Sequence, residues 1–195
     1  PALAETYDIS EDGKTYTFHL RDAKWSNGDA VTAADFVFGW HRAVDPATAS
    51  EYSYMLSDIG QIVNAAEIIA GEKPVTDLGV SAVDDKTLEV QLNVPVSYFL
   101  SLMYFPTFYP VNEAFYNSCA DTFGTSPDTV LSNGAFKLTD YQPAATAFTL
   151  EKNPDYYDAD KIALDSLAYQ VIKDSQQALM SYQTGTLDIT LLNGE

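Results

Sequence analysis

The C-terminal run constrains the fold more than any other stretch. "ALDSLAYQVI" (residues 163–172) reads as a strand, "SQQALMSYQTG" (175–185) as a helix and "TLDITLL" (186–192) as a second strand. Asp174 stands where a helix N-cap is needed, with Gln177 three residues on and Gly185 placed to end the helix. Strand, helix and strand with a short return make a βαβ unit, which predicts parallel pairing through a right-handed crossover. A strand buried on both faces asks for more neighbours than this chain supplies, and the sequence stops two residues after "LLN". The expectation is a piece cut from a larger α/β fold, whose last strand awaits partners.

The earlier sequence is built differently. "DISEDGKTYTFHLR" gives a turn at Asp12-Gly13 and then a strand with Tyr16, Phe18 and Leu20 on one face and Thr15, Thr17 and His19 on the other. Asn27-Gly28 marks a turn. Thr32 then reads as an N-cap with Asp35 in the capping-box position, and Phe36, Trp40 and Val44, with Val37 beside them, form one apolar helix face. His41 and Arg42 suit the negative end of that helix, and Pro46 stops it. Ile62, Ala65, Ala66 and Ile69 have helical spacing before Gly71. Val80 and Ala82 lead into a turn at Asp84-Asp85-Lys86, and Leu88, Val90 and Leu92 return from it as a hairpin. Pro95 suits a first helical turn, and the run up to Pro106 and Pro110 predicts a buried short helix and an extended crossing. "SNGAFKLTDYQPAATAFTLEK" predicts two strands across a turn near Gln142-Pro143. The first part is therefore expected to be α+β.

Charge narrows the partners. Twenty-eight Asp and Glu against 10 Lys and Arg give a net charge of −18, a surface that repels phosphate backbones and anionic lipid. No nucleic-acid or membrane-surface role is expected. Cys119 is the only cysteine, so neither a disulfide framework nor a thiolate metal site is available. No apolar run approaches the roughly 20 residues of a membrane span.

Catalytic chemistry finds little support. His19 and His41 are the only histidines, and no G-x-S-x-G, H-E-x-x-H, phosphate-loop or G-x-G-x-x-G motif occurs. Asp84-Asp85 fits a hairpin turn better than a carboxylate pair. Asp155, Asp158 and Asp160 lack the glycine and terminal glutamate of a calcium loop. No catalytic residue, metal site or cofactor is expected. The distinctive feature is aromatic content, with 13 Tyr and 10 Phe. Tyr52, Tyr54, Tyr104 and Tyr109 are candidates to line a cleft, since each offers contact area and a hydroxyl.

A family resemblance follows from ordered blocks. "PALAETYDISEDGKTYTFHLRDAKWSNGDAVTAADFVFGWHRAVDP", "AVDDKTLEVQLNVPVSYFLSL", "FPTFYPVN", "LSNGAFKL", "LEKNPDYYDAD" and "YQTGTLDI" run in sequence over essentially the whole chain. Together they resemble the extracytoplasmic peptide-binding proteins of bacterial ABC importers (the peptide/nickel solute-binding family), and "WHRAVDPATASEYSY" resembles the oligopeptide branch. The resemblance implies a partial periplasmic-binding-protein type II fold with an extra small lobe, truncated at both ends. Residues 1–111 would form that small lobe and 112–195 part of an α/β ligand-gripping lobe. It implies a receptor that closes on oligopeptides by hinge motion and delivers them to membrane permease subunits, working as a monomer, periplasmic or lipid-anchored at the outer face of the membrane. Tyr52 would be a cleft tyrosine. Leu191 and Leu192, followed by Asn193, stand where the oligopeptide branch usually carries Tyr-Asn, a departure that would suit more apolar peptides or a different solute.

Two other classes stay open: a cell-surface interaction or signal-peptide-sensing module on the same fold, and a carboxylate hydrolase using Asp84 or the Asp155–Asp160 cluster. The truncated chain is expected to lack appreciable peptide affinity, since only part of a cleft is present.

Overall fold

A computed structural model of the chain describes residues 2–191. They fall into two compact units divided between Asp121 and Thr122.

The first unit is built on a four-stranded antiparallel sheet of β1 (Ala4–Ile9), β2 (Thr15–Leu20), β3 (Val80–Asp84) and β4 (Thr87–Gln91), in the order β1-β2-β4-β3. The alternation read in β2 is realised: Tyr16, Phe18 and Leu20 are buried and the residues between them less so. Leu88 and Val90 of β4 lie beside them, Phe18 opposite Leu88 and Tyr16 opposite Val90. Helix α1 (Ala33–Val44) buries Trp40 and Val44 in the same core, with Phe36 and Val37 partly buried against it. Its start is fixed as expected, since Asp35 Oδ2 accepts the Thr32 N–H at 2.8 Å.

The helix that the spacing of Ile62, Ala65, Ala66 and Ile69 predicts is not continuous, and the stretch from 55 to 69 is divided in three. It is a π turn (Met55–Ile59), then an isolated bridge pairing Ile62 with Leu92, then a short helix α2 (Ala65–Ile69). Gln61 and Asn64 take φ of 55° and 65°, which breaks the helical path twice. Of the expected set, Ile62 and Ala65 are buried and Ile69 packs partly buried against the core, whereas Ala66 is exposed and Ile68, outside that set, is buried. Pro95 is not a helix start either. Helix α3 (Phe99–Leu102) begins later and buries Phe99, while Pro106–Phe108 forms one 3₁₀ turn that buries Phe108.

Helix α4 (Glu113–Cys119) belongs to the first compact unit. The cause is aromatic: Tyr116 packs its ring 5.6 Å from Phe38 of α1, and the Arg42 guanidinium sits 3.9 Å above the Tyr116 ring. His41 lies on the same helix. Burial pushes its pKa down, Glu113 opposes that, and its Nε2 has no hydrogen-bond partner among the described residues.

The second unit holds a three-stranded antiparallel sheet of β5 (Phe136–Asp140), β6 (Ala147–Lys152) and β7 (Ser166–Gln170) in sequence order, and helix α5 (Ser175–Gln183). Asp174 caps α5 by accepting the Gln177 N–H at 2.7 Å. Asn153 is the one buried side chain of this unit among the described residues. It donates to Gly134 O at 2.9 Å and accepts the Asp155 N–H at 3.1 Å, while its own N–H donates to Ala135 O. That hub pins the "SNGAF" turn to the end of β6.

The expected parallel pairing does not appear among the described residues. Residues 186–191 form no strand, and Leu192 lies outside the described residues. β7 pairs instead with β6, antiparallel and close in sequence. Alternation tells which face of a strand is buried, but not which strand lies beside it.

Candidate functional site

In the first unit α1 serves as a platform for the segment that follows α3. Trp40 Nε1 donates to Phe108 O at 3.0 Å, and the two rings meet edge to face at 5.4 Å. The Val111 N–H donates to Asp35 O at 3.0 Å. Between them the chain passes so close to Gly39 that a Cβ there would lie 2.9 Å from Tyr109 O. Residues 104–111 are therefore strapped down along one helix.

That strap presents an aromatic patch. Tyr52 meets Phe105 edge to face at 5.2 Å and Tyr54 at 6.1 Å. Tyr104, the neighbour of Phe105, is 81% exposed, and its carbonyl accepts the Tyr109 hydroxyl at 3.0 Å. The four tyrosines read as cleft candidates thus belong to one neighbourhood, and they divide by chemistry. Tyr109 has its hydroxyl engaged. Tyr52 and Tyr54, 49% and 43% exposed, have hydroxyls without a partner among the described residues. Exposed ring faces with free phenols offer apolar contact and hydrogen bonds to a ligand's polar groups. Phe105, which backs Tyr52, was missed in the sequence; its signal was its place before Pro106 in "MYFPTFYP", a run read as largely buried.

Of the other expected ligand residues, Leu191 belongs to the second unit and is 86% exposed. Leu192 and Asn193 lie outside the described residues.

The remaining polar candidates have structural work. Asp84 accepts from Lys86 N–H at 2.8 Å and the Thr87 hydroxyl at 3.1 Å, contacts that hold its carboxyl below the usual range and shape the hairpin turn. Asp158 pairs with Lys161 at 3.0 Å. His19 meets Asp8 on the neighbouring strand at 2.8 Å. Among the described residues no group of three or more His, Cys, Asp or Glu is placed to hold a metal ion.

Residues 1–194 match the model of the bacterial extracellular solute-binding proteins, family 5 Middle. This chain belongs to that family. Its members are solute-binding proteins rather than enzymes. The chain is 42% identical over 191 residues to the periplasmic oligopeptide-binding protein OppA of Escherichia coli strain K12, covering 97% of this chain and 34% of that protein. It is equally 42% identical over 191 residues to the probable deoxycholate-binding periplasmic protein YgiS of the same organism, covering 97% of this chain and 35% of that protein. Among solved structures, the substrate-binding domain of an oligopeptide ABC transporter from Bacillus anthracis strain Ames superposes with a TM-score of 0.92 at 49% identity, covering all of this chain and 37% of that one. The fold is that of these binding proteins, and the chain spans about a third of the length of the relatives that it matches.

Proposed function

We propose that this chain is part of an extracytoplasmic receptor that captures oligopeptides between lobes and delivers them to the permease of an ABC importer. The observation that carries the reading is the match of 97% and 100% of this chain to oligopeptide-binding relatives at 42% and 49% identity. The exposed Tyr52–Tyr54–Phe105 patch supports it, because such a surface suits an extended peptide of varied sequence. On this reading the first unit is the extra small lobe and Thr122 onward contributes to a gripping lobe, with Leu191, Leu192 and Asn193 facing ligand. Hinge closure brings the lobes together, main-chain hydrogen bonds supply affinity, and hydrated pockets accept the side chains. The receptor works as a monomer, in the periplasm or lipid-anchored outside the cell membrane. No described helix is long and apolar enough to cross a membrane.

A second reading is an apolar amphiphile as ligand, favoured by the YgiS relative at the same identity and by the Leu191-Leu192 pair. One experiment separates the two. The complete gene product is purified without denaturation, its contents are released with acid, and they are identified by mass spectrometry. A ladder of short peptides of mixed sequence is the expected result. A single steroid-like acid, or no peptide at all, overturns it.

A further inference from the structure

The aromatic patch stands on unusual backbone. Tyr54 immediately precedes the π turn Met55–Ile59 and Tyr52 stands two residues before Tyr54, and non-glycine residues with positive φ stand on either side of the turn, Ala49 at 51° and Gln61 at 55°. Wide turns of this kind recur at functional sites, and strained backbone persists only where its surroundings hold it in place. Three features hold this one. Leu56 is fully buried and anchors the inner side of the turn. Gly60 closes it: a Cβ there would lie 2.8 Å from Met55 O and 3.3 Å from Leu56 O, so any side chain forces the turn to shift. The φ of Gly60 is an ordinary −83°, so the position demands space and not backbone freedom. From a distant part of the chain, the Tyr98 hydroxyl donates to Ile59 O at 3.3 Å.

The turn is coupled to the tyrosines through the main chain. The Met55 N–H donates to Tyr52 O and the Leu56 N–H to Ser53 O, both at 3.0 Å. A shift of the turn therefore moves the backbone that aims Tyr52 at Phe105 and Tyr54 beside it. We propose that the π turn, closed by Gly60 and tied by Tyr98, positions Tyr52 and Tyr54 against the bound ligand. Gly60 and Tyr98 are then positioning residues that act through the two rings. This proposal rests on the reading that Tyr52 faces a peptide.

The test uses the complete gene product and one peptide selected by its binding from a pool of short synthetic peptides. Gly60→Ala is expected to weaken affinity about tenfold in the wild-type background. In a Tyr52→Ala/Tyr54→Ala background the same substitution is expected to change affinity by less than about twofold, because nothing remains for the turn to position. A merely structural role would lower affinity equally in both backgrounds, and that result overturns the proposal. So does a Gly60→Ala protein with unchanged affinity. If Gly60→Ala does not fold, Tyr98→Phe decides on the same two-background comparison, since it removes only the hydroxyl. A wild-type protein that binds no member of the pool overturns the peptide reading itself, and the positioning role falls with it. Peptide binding that is insensitive to Gly60 and Tyr98 overturns the positioning role alone.

Discussion

Asp35 is a carboxylate at only 7% exposure, and a single oxygen of it accepts both the Thr32 N–H at 2.8 Å and the Trp25 Nε1–H at 3.1 Å. Burial pushes its pKa above the ordinary 3.8, and the hydrogen bonds from Thr32 and Trp25 only partly oppose this. The folded chain therefore holds this proton more tightly than the unfolded chain. The stability that the residue contributes is greatest below the unfolded value and declines as pH rises through the raised folded value. Asp35→Asn keeps an acceptor in place but does not titrate. The expected outcome is that thermal melts of wild type and Asp35→Asn diverge in favour of wild type as pH falls from 7 to 4. A gap that stays constant or narrows contradicts the buried carboxylate as described. At this scale the sequence was only half legible. Thr32 and Asp35 announce the capping box by spacing, but the Trp25 partner depends on a turn through Asn27-Gly28 that brings the indole back onto the helix start. No local pattern reports that return.

At the scale of elements, α1 shows how a scaffold helix supports the aromatic patch. Glycine within a helix normally gains about 0.5–1 kcal/mol on replacement by alanine. At Gly39 the added Cβ would meet Tyr109 O at 2.9 Å and Val111 N at 3.3 Å, backbone atoms that cannot move without lifting the strap. Gly39→Ala is therefore expected to destabilise the chain by about 1–3 kcal/mol, measured as a lower denaturant midpoint with an unchanged slope. A stabilised variant would show that the close approach is wrong, so the sign alone decides. Elements with strong periodicity and clear punctuation were legible: β2, α1, the β3–β4 hairpin and the capped α5 all form where the sequence put them. The stretch from 55 to 69 was not. Ile62 reaches the core from a bridge and Ala65 and Ile68 from a short helix while Ala66 is exposed, since residues in αL backbone redirect the chain and change which residues face inward. The site suffered in the same way. Four of its tyrosines were recognisable as more aromatic surface than a core needs, whereas the place of Phe105 against Tyr52 and the π turn that follows Tyr54 are visible only in three dimensions.

The two units differ at the scale of the whole molecule in how they are held together. Every buried apolar residue described, from Tyr16 to Phe108, belongs to the first unit. They include Trp40, Phe99, Phe108 and Leu56, each at 2% exposure or less, and truncating any of these to Ala costs about 2–5 kcal/mol. Among the described residues the second unit has no comparable core. Leu164, Tyr169, Val171 and Met180 are exposed, Phe148 and Tyr169 stack at 4.8 Å on the sheet, and the fully buried side chain is a polar one, Asn153. Ordering a residue costs about 1.5 kcal/mol, and apolar burial is what offsets it. A hydrogen-bonded hub such as that of Asn153 specifies geometry but contributes little net free energy. Expressed separately, residues 1–121 are expected to unfold cooperatively and to show dispersed amide resonances. Residues 122–195 are expected to give narrow amide dispersion and no cooperative transition. A second fragment that melts sharply on its own would mean that its three strands and α5 suffice, and that its exposed apolar residues are surface rather than an uncovered layer. If it gains a sharp transition only when the rest of the gene product is present, the missing burial comes from chain outside residues 122–195.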